Sequence, residues 1–343
     1  MDVELLKKLC LANGIANNEE EVAAILEEEF KKAGLNVERD EFGNVIAYKK
    51  LEGKPIVLAA HMDEIGMMVK YIDEKGFIRF IKIGGIDNRT LVNQHIRIKT
   101  EKGYVDGIIG NKPPHIMKDE EFKKVIEYDE MFIDIGAKSR EEVEKLGIGI
   151  GSPVFFKAPF EELLNNRVCG KALDDRIGCY MLIKIAKDLP DNVVLLGTAQ
   201  EEVSTFGKGA TVATYTLEPS YFIAVDTGVA GDHATVSEEQ APIALEKGPA
   251  ITLVEASGRG NMADKRLASK IMEIAKNAGI SYQLEAIEGG ATDAASAYNV
   301  RGGVPSIAIS IPTRYIHSNV SVASLKDIEE GTKLIAKIAK ELK

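Results

Sequence analysis

This chain has no disulfide framework available to it. It carries three cysteines, Cys10, Cys169 and Cys179, an odd number with no C-x-x-C pair. They read as buried free thiols in a reducing compartment. No apolar run approaches the ~20 residues needed to cross a bilayer. The opening Met1-Asp2-Val3-Glu4 is acidic, without the apolar core of a signal peptide. The expected address is therefore the cytoplasm, with no membrane partner. Positive charge is also short: 43 Lys and Arg stand against 53 Asp and Glu, a formal net charge of −10. Such a balance excludes a basic groove for nucleic acid. No G-x-S-x-G occurs, so a serine nucleophile elbow is excluded and His233 has no serine to serve. Gly207-Lys208-Gly209 lacks the Ser/Thr and the upstream glycine of a phosphate loop. Tryptophan is absent while Lys and Glu are plentiful, a leaning shared with thermophile compositions.

What is present describes a soluble globular protein, 45% hydrophobic and 28% charged. Its 343 residues suffice for two domains. Helical spacing predicts helices over 3–13 and 19–33, the second capped by Asn17 or Asn18 and stopped at Gly34. A hairpin follows, 35–38 and 45–48, turning at Phe42-Gly43-Asn44. Ile56-Val57-Leu58-Ala59-Ala60 is continuously apolar, as in a strand covered on both faces.

From about 65 to 159 the texture changes to short alternating β segments, at 76–83, 95–100, 104–109 and 153–156. One helix is expected near 139–146, where Ser139-x-x-Glu142 has the form of a capping box. The first texture then returns. Helices are expected over 175–188, 265–278 and 325–342, and strands over 193–196, 221–225 and 307–311. Alternating strands and helices predict an α/β/α sandwich around a mostly parallel sheet. The expected division is 1–64 with 160–343 as one discontinuous domain, and 65–159 as an inserted, β-barrel-like domain.

Gln200-Glu201-Glu202 stands just beyond a probable buried strand. Paired carboxylates there are costly unless a metal or a mobile proton uses their charge. Other strand ends release His61 and Asp63, Asp226, and His317, and Asp174-Asp175 opens a helix. In α/β sheets such residues can meet beyond the carboxyl ends of the strands. His, Asp and Glu without Cys suit zinc, cobalt or manganese. If Asp174 bridges, His61 and Asp226 complete one site, and Glu202 and His317 the other. That is the composition of a two-metal hydrolytic centre. Asp63, two positions past His61, is placed to fix its tautomer. One of Glu201 and Glu202 reaches metal and the other serves as general base. Spacing alone does not decide which.

At these residues the chain resembles the tetrahedral-aminopeptidase family of metallo-aminopeptidases, some of whose members are labelled glucanases by homology. The motifs are Ala60-His61-Met62-Asp63, Ala172-Leu173-Asp174-Asp175-Arg176, Gln200-Glu201-Glu202, Val225-Asp226-Thr227-Gly228 and Arg314-Tyr315-Ile316-His317-Ser318. The resemblance implies His61, Asp174, Glu202, Asp226 and His317 as ligands of two divalent ions, zinc or cobalt, with Asp174 bridging. It implies Glu201 as general base and Asp63 as the residue orienting His61. It implies that the insertion serves dimerisation, and that the chain forms a homo-oligomer built from dimers, such as a hollow dodecamer taking short peptides. Pro113-Pro114-His115 and Gly289-Gly290-Ala291-Thr292-Asp293 also resemble family segments, which brings in His115, Thr292 and Asp293 as substrate-binding candidates.

Three other functions compete. A di-metal carboxypeptidase or deacylase would use the same ligands and bind a substrate carboxylate, for which Arg314 is the nearby candidate. A glycosidase would pair Glu201 with Asp174 or Asp226, leaving His61 and His317 without a task. A non-catalytic scaffold would have no use for Glu201.

Overall fold

Continuously apolar sequence becomes the middle of a sheet. In the computed structural model, which describes residues 1–204 and 208–342, the strand Ile56–His61 is buried at every position. Gly207 of the Gly-Lys-Gly segment lies outside the described residues. Ile56–His61 runs parallel to Val193–Thr198 on one side and to Tyr221–Val229 on the other. Ser306–Arg314 extends the parallel set beyond Tyr221–Val229. The hairpin of Asn36–Arg39 and Val45–Tyr48 closes one edge in antiparallel pairing. Ser321–Ser324, Arg167–Gly170 and Glu161–Leu163 close the other. A branch from Ser306–Arg314 adds Ala250–Val254, antiparallel, and then Gln283–Ala286, parallel to its neighbour.

Side chains alternate across these strands, so the sheet buries two faces. Leu58, Leu195, Ile223 and Ile309 face a large core with Leu6, Phe30, Ile177, Ile271 and Ile335 from the long helices. Val57, Ala59, Val194, Ala224 and Ala308 face the other way. There they meet Ala210 and Ala213 of Gly209–Leu217, and Ala294 and Ala297 of Asp293–Tyr298. Each fully buried Leu or Ile contributes about 1.5–3 kcal/mol. This is the expected α/β/α sandwich with a mostly parallel centre.

Between the first and second parallel strands of the chain lies a closed six-stranded barrel. Around its wall stand Gly66–Ile72, Ile78–Ile83, Phe132–Asp134, Gly103–Gly110, His95–Thr100 and Pro153–Phe156. Met67, Ile78, Phe80, Ile96, Ile98, Ile133 and Val154 fill its interior as a separate core.

Local signals were obeyed with small shifts. The helix Glu20–Lys32 is capped at Glu19, not at Asn17 or Asn18. The Glu19 carboxylate instead accepts from the Asn17 and Gln200 amides, tying the helix start to the Glu201 turn. Ser139 caps Arg140–Lys145 through the Glu142 amide, while the Glu142 carboxylate reaches the Lys138 amide, one residue before a capping box requires.

Candidate metal centre

The carboxyl ends of the parallel strands converge on one cavity of about 500 Å³. His61 ends its strand, and Asp226 lies in Tyr221–Val229 opposite Ser310. Glu201 and Glu202 follow Val193–Thr198. They lie in a turn rather than the extended segment the sequence suggests: Gln200 has φ +64° and the Ser204 amide donates to the Glu201 carbonyl. The two side chains still diverge, Glu201 towards His61 and Glu202 towards His317.

Asp174 stands between the two imidazoles. Its Oδ1 lies 3.2 Å from His61 Nε2 and its Oδ2 lies 3.4 Å from His317 Nε2. Around His61 Nε2 gather Asp226 Oδ1 and Glu201 Oε2, each at 3.9 Å. Glu202 Oε2 lies 3.3 Å from His317 Nε2.

Each imidazole is held from behind. His61 Nδ1 is 3.0 Å from the Asp63 carbonyl, and His317 Nδ1 is 2.8 Å from the Gly85 carbonyl. A carbonyl can only accept, so both Nδ1 atoms donate and each Nε2 faces the cavity, the nitrogen that gives up its proton when a metal binds. Gly85 belongs to the turn leaving the barrel strand Ile78–Ile83, so the barrel helps to position His317. A Cβ there would sit 3.1 Å from His317 Nδ1, which favours glycine at this close approach.

Asp63 does more than face His61. Its carboxylate lies 3.5 Å from His61 Nδ1, but its hydrogen bonds come from the Glu201 amide at 2.9 Å and the Glu202 amide at 3.1 Å. Asp175, read from sequence as an alternative helix cap, is fully buried and accepts from the Gly178 and His61 amides. With His61 and Asp226 it also forms one of two groups whose donor atoms lie within 4.8 Å of one another; the other is His61, Asp174 and Glu202. Gly178 is needed beneath it, since a Cβ would meet both Asp175 oxygens and the Val225 carbonyl below 3.0 Å.

Burial pushes Glu201, Glu202 and Asp226 above the ordinary carboxylate range, and neighbouring acids add to it; Glu202 reaches about 8. Burial also works against ionised Asp174, but hydrogen bonds from His317 and His61 outweigh it and hold Asp174 low. Burial opposes the His317 imidazolium, yet Asp174 and Glu202 push it up to about 9. Among the described residues no Lys or Arg lines the cavity to balance these acids. Clustered carboxylates around two inward-facing Nε2 atoms fit divalent metal binding, the metal taking the place of the imidazole protons.

Of the substrate-binding candidates, Thr292 lines the cavity and caps Asp293–Tyr298. Asp293 lies behind it, buried and bonded by the Thr198 hydroxyl; burial, opposed by that bond and reinforced by Asp63, raises its carboxyl to about 6. His115 sits on an exposed 3-10 turn, Pro114–Ile116, and the fold does not bring it into the cavity of its own chain. Arg314 is occupied: it makes a two-pronged pair with Asp232, at 2.9 and 2.7 Å. Sequence reasoning missed Gly85, Glu255 and Glu285, which carry no local signal; it named Asp175 beside Asp174 but gave it no role of its own.

The family described as M42 glutamyl aminopeptidase matches residues 43–334. The lysyl aminopeptidase of Pyrococcus furiosus is 34% identical over 354 residues, spanning 100% of this chain and 98% of that protein. Among solved structures, an aminopeptidase from the archaeon Desulfurococcus kamchatkensis superposes with a TM-score of 0.93 at 38% identity, covering 99% of this chain and 94% of its own. The TET1 peptidase of Pyrococcus horikoshii, described as able to assemble into a tetrahedron or a large octahedral shell, superposes with a TM-score of 0.90 at 37% identity, over 100% of both chains.

Proposed function

This chain belongs to the M42 glutamyl aminopeptidase family, and from that premise we propose that it is a metal-dependent aminopeptidase removing residues from the amino ends of short peptides. The observation that carries this reading is Asp174, one oxygen on each imidazole's inward-facing Nε2. His61, Asp174 and Asp226 would hold one divalent ion, and Asp174, Glu202 and His317 a second, zinc or cobalt. Bound there, such ions lower the pKa of water and polarise a scissile carbonyl.

The chain's own residues supply the rest. Glu201, bonded through its amide to Asp63, is the general base: its carboxylate takes a proton from the attacking water and returns it to the leaving amine. Asp63 holds the backbone that sets Glu201 and Glu202 apart. Asp175 fixes the His61 amide. The first side chain enters the same cavity, with Thr292 on its wall.

Two competitors lose support. A carboxypeptidase needs a free cation for the substrate carboxylate, and Arg314 is paired with Asp232. A glycosidase leaves two inward-facing Nε2 atoms without a role.

We assign 1–64 and 160–343 to the catalytic domain and 65–159 to an inserted dimerisation domain. The shells described for the P. horikoshii relative support assembly of this chain from dimers. Three free cysteines support a cytoplasmic address. The test is hydrolysis of aminoacyl-p-nitroanilides, with and without a chelator and after re-addition of single metals. Turnover should vanish with chelator and return with zinc or cobalt. Chelator-resistant turnover, or cleavage of N-acetylated but not free peptides, would overturn the reading.

A further inference from the structure

The cavity has a second acidic end that the two-imidazole cluster does not use. Glu255 and Glu285 line it, 1% and 3% exposed. Glu255 is satisfied: it accepts from the Thr292 hydroxyl at 2.7 Å and from the Asn261 amide at 3.1 Å. Glu285 is not. Its Oε2 accepts from the Thr252 hydroxyl at 2.8 Å, but its Oε1 has no hydrogen-bond partner among the described residues. Thr252 in turn lies 3.1 Å from the Ser310 hydroxyl, and Ser310 is the cross-strand neighbour of Asp226. The acidic end is thus about one side chain removed from the reacting centre. Gly228, two residues past Asp226, packs closely here: a Cβ would stand 3.6 Å from Glu285 Oε1 but only 2.7 Å from the Ile243 side chain.

A buried carboxylate with an unpartnered oxygen is costly. Burial raises both Glu285 and Glu255, and Glu255 adds to the rise of Glu285. A cation inside the cavity would relieve both, and none of the lining residues is Lys or Arg. Ile287 and Ala291 on the same lining offer apolar wall for a methylene stem.

We propose that Glu285, with Thr252 and Glu255 beside it, binds the side chain of the substrate's first residue and selects a lysine or arginine there. This rests on the aminopeptidase reading and goes beyond it: the family description and the P. furiosus relative name oppositely charged first residues, so membership does not choose between them. The pocket does. A glutamyl side chain would bring a third carboxylate against Glu255 and Glu285, whereas an ammonium or guanidinium gives Oε1 its missing donor.

The experiment compares kcat/KM for the p-nitroanilides of Lys, Arg, Leu and Glu, for the parent and for Glu285→Gln, on the metal-loaded assembly. The parent should prefer Lys and Arg over Leu, with Glu the poorest. Glu285→Gln should lower the Lys-to-Leu ratio about 30-fold or more, chiefly through KM. Reading the ratio within one preparation keeps a partly unfolded variant informative, and Thr252→Val should lower it in the same direction. If Leu is cleaved and Lys is not preferred, or the ratio is unmoved in Glu285→Gln, the pocket assignment is overturned. If none of the four is cleaved, the aminopeptidase reading fails and this one with it.

Discussion

Asp63→Asn should weaken catalysis without dismantling the fold. Asp63 is fully buried, and its two oxygens each accept one backbone amide, from Glu201 at 2.9 Å and Glu202 at 3.1 Å. Asparagine keeps one acceptor and turns an NH2 donor towards the other amide. The variant therefore loses one charge-assisted hydrogen bond, about 1.5–3 kcal/mol, and sets two donors against each other. The strain falls on the turn carrying both glutamates, one facing each imidazole. If half or more of that energy reaches the transition state, kcat/KM falls about 3- to 150-fold. The assay is kcat/KM on the best aminoacyl-p-nitroanilide beside the metal content of the same sample. Asp63→Leu, which loses both acceptors, should be worse. Parent-like kcat/KM in Asp63→Asn would refute the claim that this carboxylate positions the catalytic pair.

Glu201→Gln should lose ~100- to 10,000-fold in kcat while retaining its metals, checked by turnover and metal analysis together; metal lost in step with activity would make Glu201 a ligand instead. Glu64 holds the Lys171 ammonium at 2.7 Å, with the Arg176 guanidinium at 3.6 Å, all three buried. Glu64→Gln leaves those cations without a counter-charge and should cost about 3–5 kcal/mol in denaturant unfolding; an unchanged midpoint would contradict this. Burial pushes the Asp232 carboxyl up, but hydrogen bonds and charge from Arg314 outweigh it and hold it below the ordinary range. A depressed carboxyl stabilises above its unfolded pKa, about 3.9, and loses that contribution as pH falls through the folded value. Arg314→Gln should therefore be less stable than the parent near neutral pH, with the gap closing as pH falls below the unfolded value of about 3.9.

The parallel strands were readable because burial on both faces leaves unbroken apolar runs such as Ile56 to Ala60. Most ligand-type residues followed from them, His61, Glu202, Asp226 and His317 lying near such strands' ends, whereas Asp174 opens the helix Leu173–Ala186. The first barrel strand, Gly66–Ile72, was not read: a register shift between Val69 and Tyr71 breaks its alternation. Gln283–Ala286 has four residues and a polar pattern, so nothing local marks it as a strand or Glu285 as a buried residue. Only pairing with Ala250–Val254, seated on Ser306–Arg314, brings Glu285 to the cavity. Asp293–Tyr298 is too short for helical periodicity to show. The Gly85 contact joins residues 232 positions apart, and no local pattern encodes that distance.

The account turns on Asp174 lying between two metal positions. Crystals soaked in zinc, with anomalous data collected at the zinc edge, address this directly. Two peaks are predicted per chain, one beside His61 and Asp226 and one beside His317 and Glu202, each also in contact with Asp174. A single peak away from Asp174, or none at full zinc occupancy elsewhere in the crystal, would contradict it.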